Sequence, residues 1–169
     1  TLAIFGLGGL GQYAVQISKL CGVRVIAVDI SPDKLNTAKE LGADEVVHAD
    51  EQAGAIIKAL GGADGCVNFA PVGATWPLML AACNPRAKIV LTAVPADQMA
   101  FYAHEVIERG LQVIGSSASN RQEMNEILAL ADGGKVKGII NPRPFNKIND
   151  ALSDLIDGTV EGRSVLTFD

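Results

Sequence analysis

The stretch AIFGLGGLGQYAVQ, residues 3–16, constrains this chain more than any other. Gly6, Gly8 and Gly11 stand at G-x-G-x-x-G spacing, with the apolar run LAIF before them. The segment LGQYAVQISKLCG after them places Leu10, Ala14, Ile17 and Cys21 on one helical face until Gly22 stops it. That reads as strand, tight turn, helix. Glycine spacing alone identifies only a sharp corner, so its meaning depends on the residues downstream.

Directly after Gly22 comes a second apolar run, VRVIAVD over residues 23–29, ending in Asp29, 18 residues beyond Gly11. An acid roughly 20 residues past such a loop is where a dinucleotide-binding unit holds the adenosine ribose. In that reading Gly6 makes the turn, Gly8 lets backbone approach a pyrophosphate, and Gly11 lets helix and strand pack closely. The helix N-terminus adds free N–H groups and partial positive charge for the phosphates. Asp29 would accept hydrogen bonds from ribose hydroxyls and repel a 2′-phosphate, which selects NAD over NADP. Ile30 and Ser31 supply no arginine for that phosphate. The plain alternatives are a structural turn and a solvated strand-end acid. Lys34 falls in the first turn of the next helix, where it could reach the ribose or simply face solvent.

Strand and helix patterns then alternate. Ser31 reads as an N-cap with Pro32 at the first helical position, and the helix closes at Gly42. EVVHA is followed by a helix over 52–60, GCVNFA by a helix over 74–82, and AKIVLTAV comes after a turn-like NPRA. A short helix over 101–108, the strand LQVIGS and a helix over 120–131 closed by Gly133 and Gly134 complete the series. Alternation of this kind predicts an α/β fold with a doubly wound parallel sheet and right-handed crossovers. Six strands match the Rossmann arrangement, order 3-2-1-4-5-6. The tail departs from the alternation: a Pro-rich extended link (141–144), a helix (147–157) and a last strand (164–168). It is expected to form a C-terminal strap, residues 138–169, beside a nucleotide-binding domain of residues 1–137, packing on the sheet's edge or reaching toward something absent from this chain.

Composition sets the remaining bounds. The 169 residues suit one domain of about 100–200 residues, and Gly-rich, aromatic-poor usage suits a Val/Ile/Leu/Ala core. A net charge of -5 leaves no electrostatic footprint for nucleic acid or an anionic membrane. No apolar run reaches the roughly 18–20 residues of a membrane span. Cys21, Cys66 and Cys83, each in an apolar stretch without a C-x-x-C pair, read as buried reduced thiols of a cytoplasmic protein. His48 and His104 have no partner at ligand spacing and read as a strand-end and a helix-face histidine. No Ser–His–Asp or paired-carboxylate constellation predicts catalysis by this chain alone, and no metal site is expected in it. With Thr1 only a few residues ahead of the loop and no initiator Met, a fragment or an excised domain is expected.

The run GLGGLGQYAVQISKLCGVRVIAVDISPDKLNTAKELGADEVV resembles the cofactor domain of zinc-dependent medium-chain alcohol dehydrogenases, especially the tetrameric NAD-linked type of bacteria and yeast. VDISPDKL followed by AKELGAD carries the likeness beyond the glycines, and KIVLTAVPA, LQVIGSSASNRQEM and VEGRSVLTFD extend it over essentially the whole chain. The resemblance implies that Gly6, Leu7, Gly8, Gly9, Leu10 and Gly11 line the pyrophosphate, and that Asp29 and Lys34 bind the adenosine ribose. It implies that Phe69 and Ala70 flank the crossing from adenine to nicotinamide. Thr92, Ala93 and Val94 would offer backbone groups to the nicotinamide carboxamide, with Ser116 and Ser117 in the neighbouring loop. Arg163 resembles an arginine that reaches back toward the cofactor phosphates, where it would otherwise read as solvated.

The resemblance also implies a parent that transfers a hydride between a zinc-held alcohol or aldehyde and NAD, with the zinc ligands upstream of this chain, and a homo-oligomer, dimer or tetramer, with the sixth strand and SVLTF pairing across a dimer axis. Ala93 and Ser119-Asn120 stand where such proteins often carry Gly and Gly-Thr, which bears on substrate preference. Three rivals remain: a zinc-free quinone-oxidoreductase-like member of the superfamily, a ligand-sensing Rossmann regulatory module, and a domain that keeps the fold without a ligand. The first tends to NADPH and lacks an acid like Asp29, and the second lacks the GRSVL tail.

Overall fold

A computed structural model describes residues 1–100 and 102–168. The chain runs β1 (Leu2–Phe5), α1 (Gly11–Leu20), β2 (Val25–Asp29), α2 (Pro32–Glu40), β3 (Glu45–His48), α3 (Ala53–Ala59), β4 (Ala63–Asn68) and α4 (Thr75–Ala82). It continues β5 (Cys83–Leu91), α5 (Ala103–Arg109), β6 (Gln112–Gly115), α6 (Arg121–Asp132), β7 (Ile140–Pro144), a single 3-10 turn (Phe145–Lys147), α7 (Ile148–Ile156) and β8 (Arg163–Thr167). β1 to β6 form one parallel sheet in the order β3-β2-β1-β4-β5-β6, the doubly wound order read from the alternation.

The period-two alternation of strand side chains splits the core in two. Ala3, Phe5, Ile26 and Val28 point to one face, where Ile57 of α3 and Trp76 and Met79 of α4 cover them. Ile4, Val25 and Ala27 point to the other, under Val15 of α1 and Leu35 and Ala38 of α2. Burial on both faces is why β2 is apolar up to its last residue, Asp29. Ser31 caps α2 by accepting from Lys34 N at 3.4 Å, with Pro32 opening the helix. Asn120 and Glu123 cap α6 reciprocally.

NPRA is no turn between elements: α4 ends at Ala82 and β5 begins at Cys83, which pairs with Ala63 before Lys88 resumes the ladder at Gly65. The extra residues bulge out of the strand, with Arg86 at φ 64°. Asn84 pins the bulge, donating to Gly61 O and Asp64 Oδ1 while accepting from Lys58 Nζ. The tail, moreover, lies over helices rather than along an edge of the main sheet. β7, the Pro-rich stretch, pairs in parallel with β8 as a separate two-stranded sheet. Backbone and side-chain bonds hang the tail on α1 and α2: Gln16 on Lys137, Gln12 on Ile139, and Thr37 on Glu161. The helix expected from Phe101 begins at Ala103, and Phe101 itself lies outside the described residues.

Candidate functional site

In an all-parallel sheet every strand ends on the same edge, so the C-terminal ends of β1, β2, β4, β5 and β6 bring the expected site residues to one rim. The strand order reverses between β1 and β4, and a ligand crevice forms at such a switch point. The three glycines at this rim serve different ends. Gly6 has φ 88°, and a Cβ there would lie 2.7 Å from Ala70 N, so the turn admits no side chain. A Cβ on Gly11 would overlap the carbonyl oxygen of Gly6, which seats α1 directly on the end of β1. A Cβ on Gly8 would meet nothing within 4 Å. Gly8 therefore borders open space, and in it the N–H groups of Gly8, Gly9, Leu10 and Gly11 have no acceptor among the described residues.

Asp29 is 9% exposed at the end of β2. Its Oδ2 accepts from Leu7 N at 2.7 Å and its Oδ1 from Ser31 N at 3.0 Å. A carboxylate has about four lone-pair sites, so each oxygen keeps capacity for one more donor. Asp29 borders a cavity of about 270 Å³ with Gly6, Gly8, Lys34, Phe69 and Ala70. Ile30, Val72 and Thr75 also line it; of these only Ile30 drew notice from sequence, for not being an arginine. That volume is just below the roughly 300–1,000 Å³ of ligand pockets, room for a nucleoside rather than a whole dinucleotide.

Thr92, Ala93, Val94, Ser116 and Ser117 lie beyond this cavity, past the ends of β5 and β6. Asn68, fully buried at the end of β4, organises the backbone that follows β4 and β5. Its side chain closes a turn with Ala70, accepting from Ala70 N and donating to Ala70 O, both at 3.1 Å. Its carbonyl accepts from Thr92 N and Ala93 N at 3.2 Å and from Thr92 Oγ1 at 2.6 Å. The donors of Thr92 and Ala93 are thereby taken, which narrows the expectation: what this segment can offer is carbonyl oxygens and the N–H of Val94, which is 88% exposed. Ser116 N bonds to Leu91 O, leaving both serine hydroxyls exposed. Asn68 was legible only as a polar residue ending an apolar strand.

Arg163 opens β8, far along the chain, yet its side chain lies against Gly9: a Cβ on Gly9 would overlap the Arg163 Cζ and Nε. It is exposed and has no carboxylate partner among the described residues. A free guanidinium thus stands beside four free N–H groups, an arrangement suited to a diphosphate.

Among the described residues no group of three or more His, Cys, Asp or Glu could hold a metal ion. His48 and His104 are exposed, the latter beside Tyr102 with ring centroids 5.7 Å apart. Cys66 and Cys83 are buried with sulfurs 3.6 Å apart, whereas Cys21 is exposed at the end of α1, against the expectation of burial. Gly22, left-handed at φ 73°, turns the chain away immediately after Cys21 and leaves it at the surface. Among the described residues no helix is long and apolar enough to cross a membrane.

Residues 9–133 match the zinc-binding dehydrogenase family. An alcohol dehydrogenase of Geobacillus stearothermophilus is 35% identical over 170 residues, which cover 99% of this chain and 50% of that protein. The crystal structure of the alcohol dehydrogenase from the hyperthermophilic archaeon Aeropyrum pernix superposes with a TM-score of 0.94 at 32% identity, over 99% of this chain and 49% of that one. Acetophenone reductase from Geotrichum candidum, solved in complex with NAD, gives 0.84 at 25% identity, over 99% and 48%. The chain spans about half the length of these relatives.

Proposed function

The chain belongs to the zinc-binding dehydrogenase family, and on that footing we propose that it is the NAD-binding half of an alcohol dehydrogenase. The observation that carries this reading is the cavity where Asp29 and the open face of Gly8 meet at the sheet's switch point. A diphosphate set beside Gly8 would accept from the N–H groups of Gly8, Gly9, Leu10 and Gly11, with Arg163 supplying the countercharge. The adenosine would fill the cavity between Ile30, Val72 and Thr75, its ribose hydroxyls donating to the spare lone pairs of Asp29, with Lys34 beside them. A 2′-phosphate there would be pressed against the fixed Asp29 carboxylate, a repulsion that favours NAD over NADP even with Lys34 nearby. Phe69 and Ala70 would flank the middle of the cofactor. The nicotinamide carboxamide would reach the Thr92 and Ala93 carbonyls and the Val94 N–H, near Ser116 and Ser117.

NAD, when bound, supplies the nicotinamide ring that takes up hydride from the alcohol carbon, and the protein orients it. Among the described residues no cluster fits a zinc ion, so no step here runs through one; in the whole enzyme its ligands would come from the other half. Residues 1–137 would carry the cofactor, and 138–169 would be the strap that closes over the glycine loop and meets that other half. The whole enzyme would work on an alcohol or aldehyde in the cytoplasm as a homo-oligomer, for which the exposed edge of β6, with Val113 and Ile114 both 40% accessible, is a pairing surface. Asp29 and the alcohol dehydrogenase relatives weigh against the quinone-reductase-like reading, and the tail that places Arg163 on the loop weighs against the sensor module.

Calorimetric titration of the chain with NAD tests the assignment. Saturable binding with one site is the expected result. No binding at millimolar NAD by folded chain would refute it.

A further inference from the structure

Residues 137–139 run along α1 toward its N-terminus, and α1 holds them with side chains. The carboxamide of Gln16 pairs with the Lys137 backbone in both directions, Nε2 donating to Lys137 O and Oε1 accepting from Lys137 N, both at 2.9 Å. One turn earlier, Tyr13 touches Gly138 so closely that a Cβ there would overlap its hydroxyl oxygen. Gln12, 2% exposed, then accepts from Ile139 N at 2.8 Å. Glutamines four residues apart on a helix face thus hold alternate residues of an extended chain, as a neighbouring strand would.

The ladder ends at the glycine loop. Ile139 O accepts from Arg163 N at 2.9 Å, and Ile140 is the register partner of Arg163 where β7 and β8 begin. Gln12 therefore fixes Ile139, Ile139 fixes the Arg163 backbone, and the Arg163 side chain lies on Gly9. The Gln12 amide cannot be turned over, because its oxygen faces a donor. Its Nε2 stays buried with no partner among the described residues, a costly state accepted for the sake of the acceptor.

We propose that Gln12 is a positioning residue for cofactor binding: through Ile139 it holds the Arg163 guanidinium over the phosphate-binding turn. This rests on the reading that Arg163 faces the cofactor diphosphate. Gln12→Met keeps the length and apolar stem of the side chain and loses the acceptor, which frees Ile139 and lets Arg163 drift off Gly9.

The test compares two ligands by calorimetry, ADP, which carries the diphosphate, and adenosine, which does not. Gln12→Met is expected to weaken ADP roughly tenfold, the order of a displaced hydrogen bond to a charged group, with adenosine unchanged. Arg163→Ala should do the same, and the double variant should be no weaker than Arg163→Ala alone. Gln16→Met, which loosens the ladder one turn away, should show the same selective loss in smaller measure and serves if Gln12→Met melts too low. An equal loss for both ligands, as a merely structural role gives, would overturn the proposal, as would unchanged ADP affinity. Additive losses in the double variant would overturn it too. Failure of the wild-type chain to bind either ligand would instead overturn the underlying reading, and this inference with it.

Discussion

Leu7 N donates to Asp29 Oδ2 at 2.7 Å, which ties the glycine loop after β1 to the acid that ends β2. The same carboxylate takes Ser31 N at 3.0 Å, where α2 is about to start. Asp29 is thus a brace between the two loops, in addition to the ribose-binding role proposed for it.

Asp29→Asn leaves only one oxygen for two backbone donors, so an N–H must face an amide NH₂. A cost of about 1–2 kcal/mol is expected for the unpaired donor, lowering the melting temperature by about 2–8 °C. Differential scanning calorimetry of variant and wild type measures it.

The glycines should divide by geometry. Gly8→Val fills open space and is expected to change stability by no more than about 0.5 kcal/mol, as at an ordinary surface position, while NAD binding disappears. Gly6→Ala forces a Cβ to 2.7 Å from Ala70 N at φ 88° and should destabilise by at least about 1 kcal/mol before any ligand is added. Thermal melts beside NAD titrations separate the two; a Gly8→Val protein that binds NAD normally would mean that the loop only turns the chain.

The start of β2 and the end of α1 are joined through Asp44. Its carboxylate accepts from Lys19 Nζ at 2.7 and 2.8 Å and from Val25 N at 2.7 Å, and the Lys19 bond, then the Val25 bond, hold its pKa below the ordinary 3.8. A lowered carboxylate contributes stability that is present above its unfolded pKa and lost as pH falls through the folded one. Asp44→Asn should therefore melt a few degrees lower at pH 6, with the gap closing below about pH 4. Melts across pH 2–7 follow it.

The three thiols should react unequally. Cys21 is exposed and should be alkylated by iodoacetamide in the folded chain. Cys66 and Cys83 are fully buried, and hydrogen bonding to Cys83 together with burial pushes the Cys66 thiol far above its usual range. Intact mass after labelling should show one adduct when native and three in denaturant.

Local signals were the legible ones. Alternating strand and helix periods, capped by Ser31 and closed by glycines, lead directly to the β3-β2-β1-β4-β5-β6 sheet, because each βα unit is specified within some thirty residues. The distance from Gly11 to Asp29 is legible for the same reason. What escaped depends on distant partners. The bulge at Arg86 is held by Asn84 reaching Gly61 and Asp64, and the seat of the tail is set by Gln12 and Gln16 meeting residues more than 120 positions away. Neither leaves a period or a spacing in the sequence. Asn68 likewise looks like any strand-end amide until its carbonyl is seen taking the donors of Thr92 and Ala93.

If this chain binds NAD and Asp29 selects it, the two cofactors should differ in affinity. Parallel calorimetric titrations of the wild-type chain and Asp29→Asn with NAD and NADP test that directly. The wild type should bind NAD at least about tenfold tighter than NADP, the discrimination worth about 1.4 kcal/mol, and Asp29→Asn should narrow the gap. Equal affinities of the wild-type chain for the two cofactors would show that Asp29 does not select NAD.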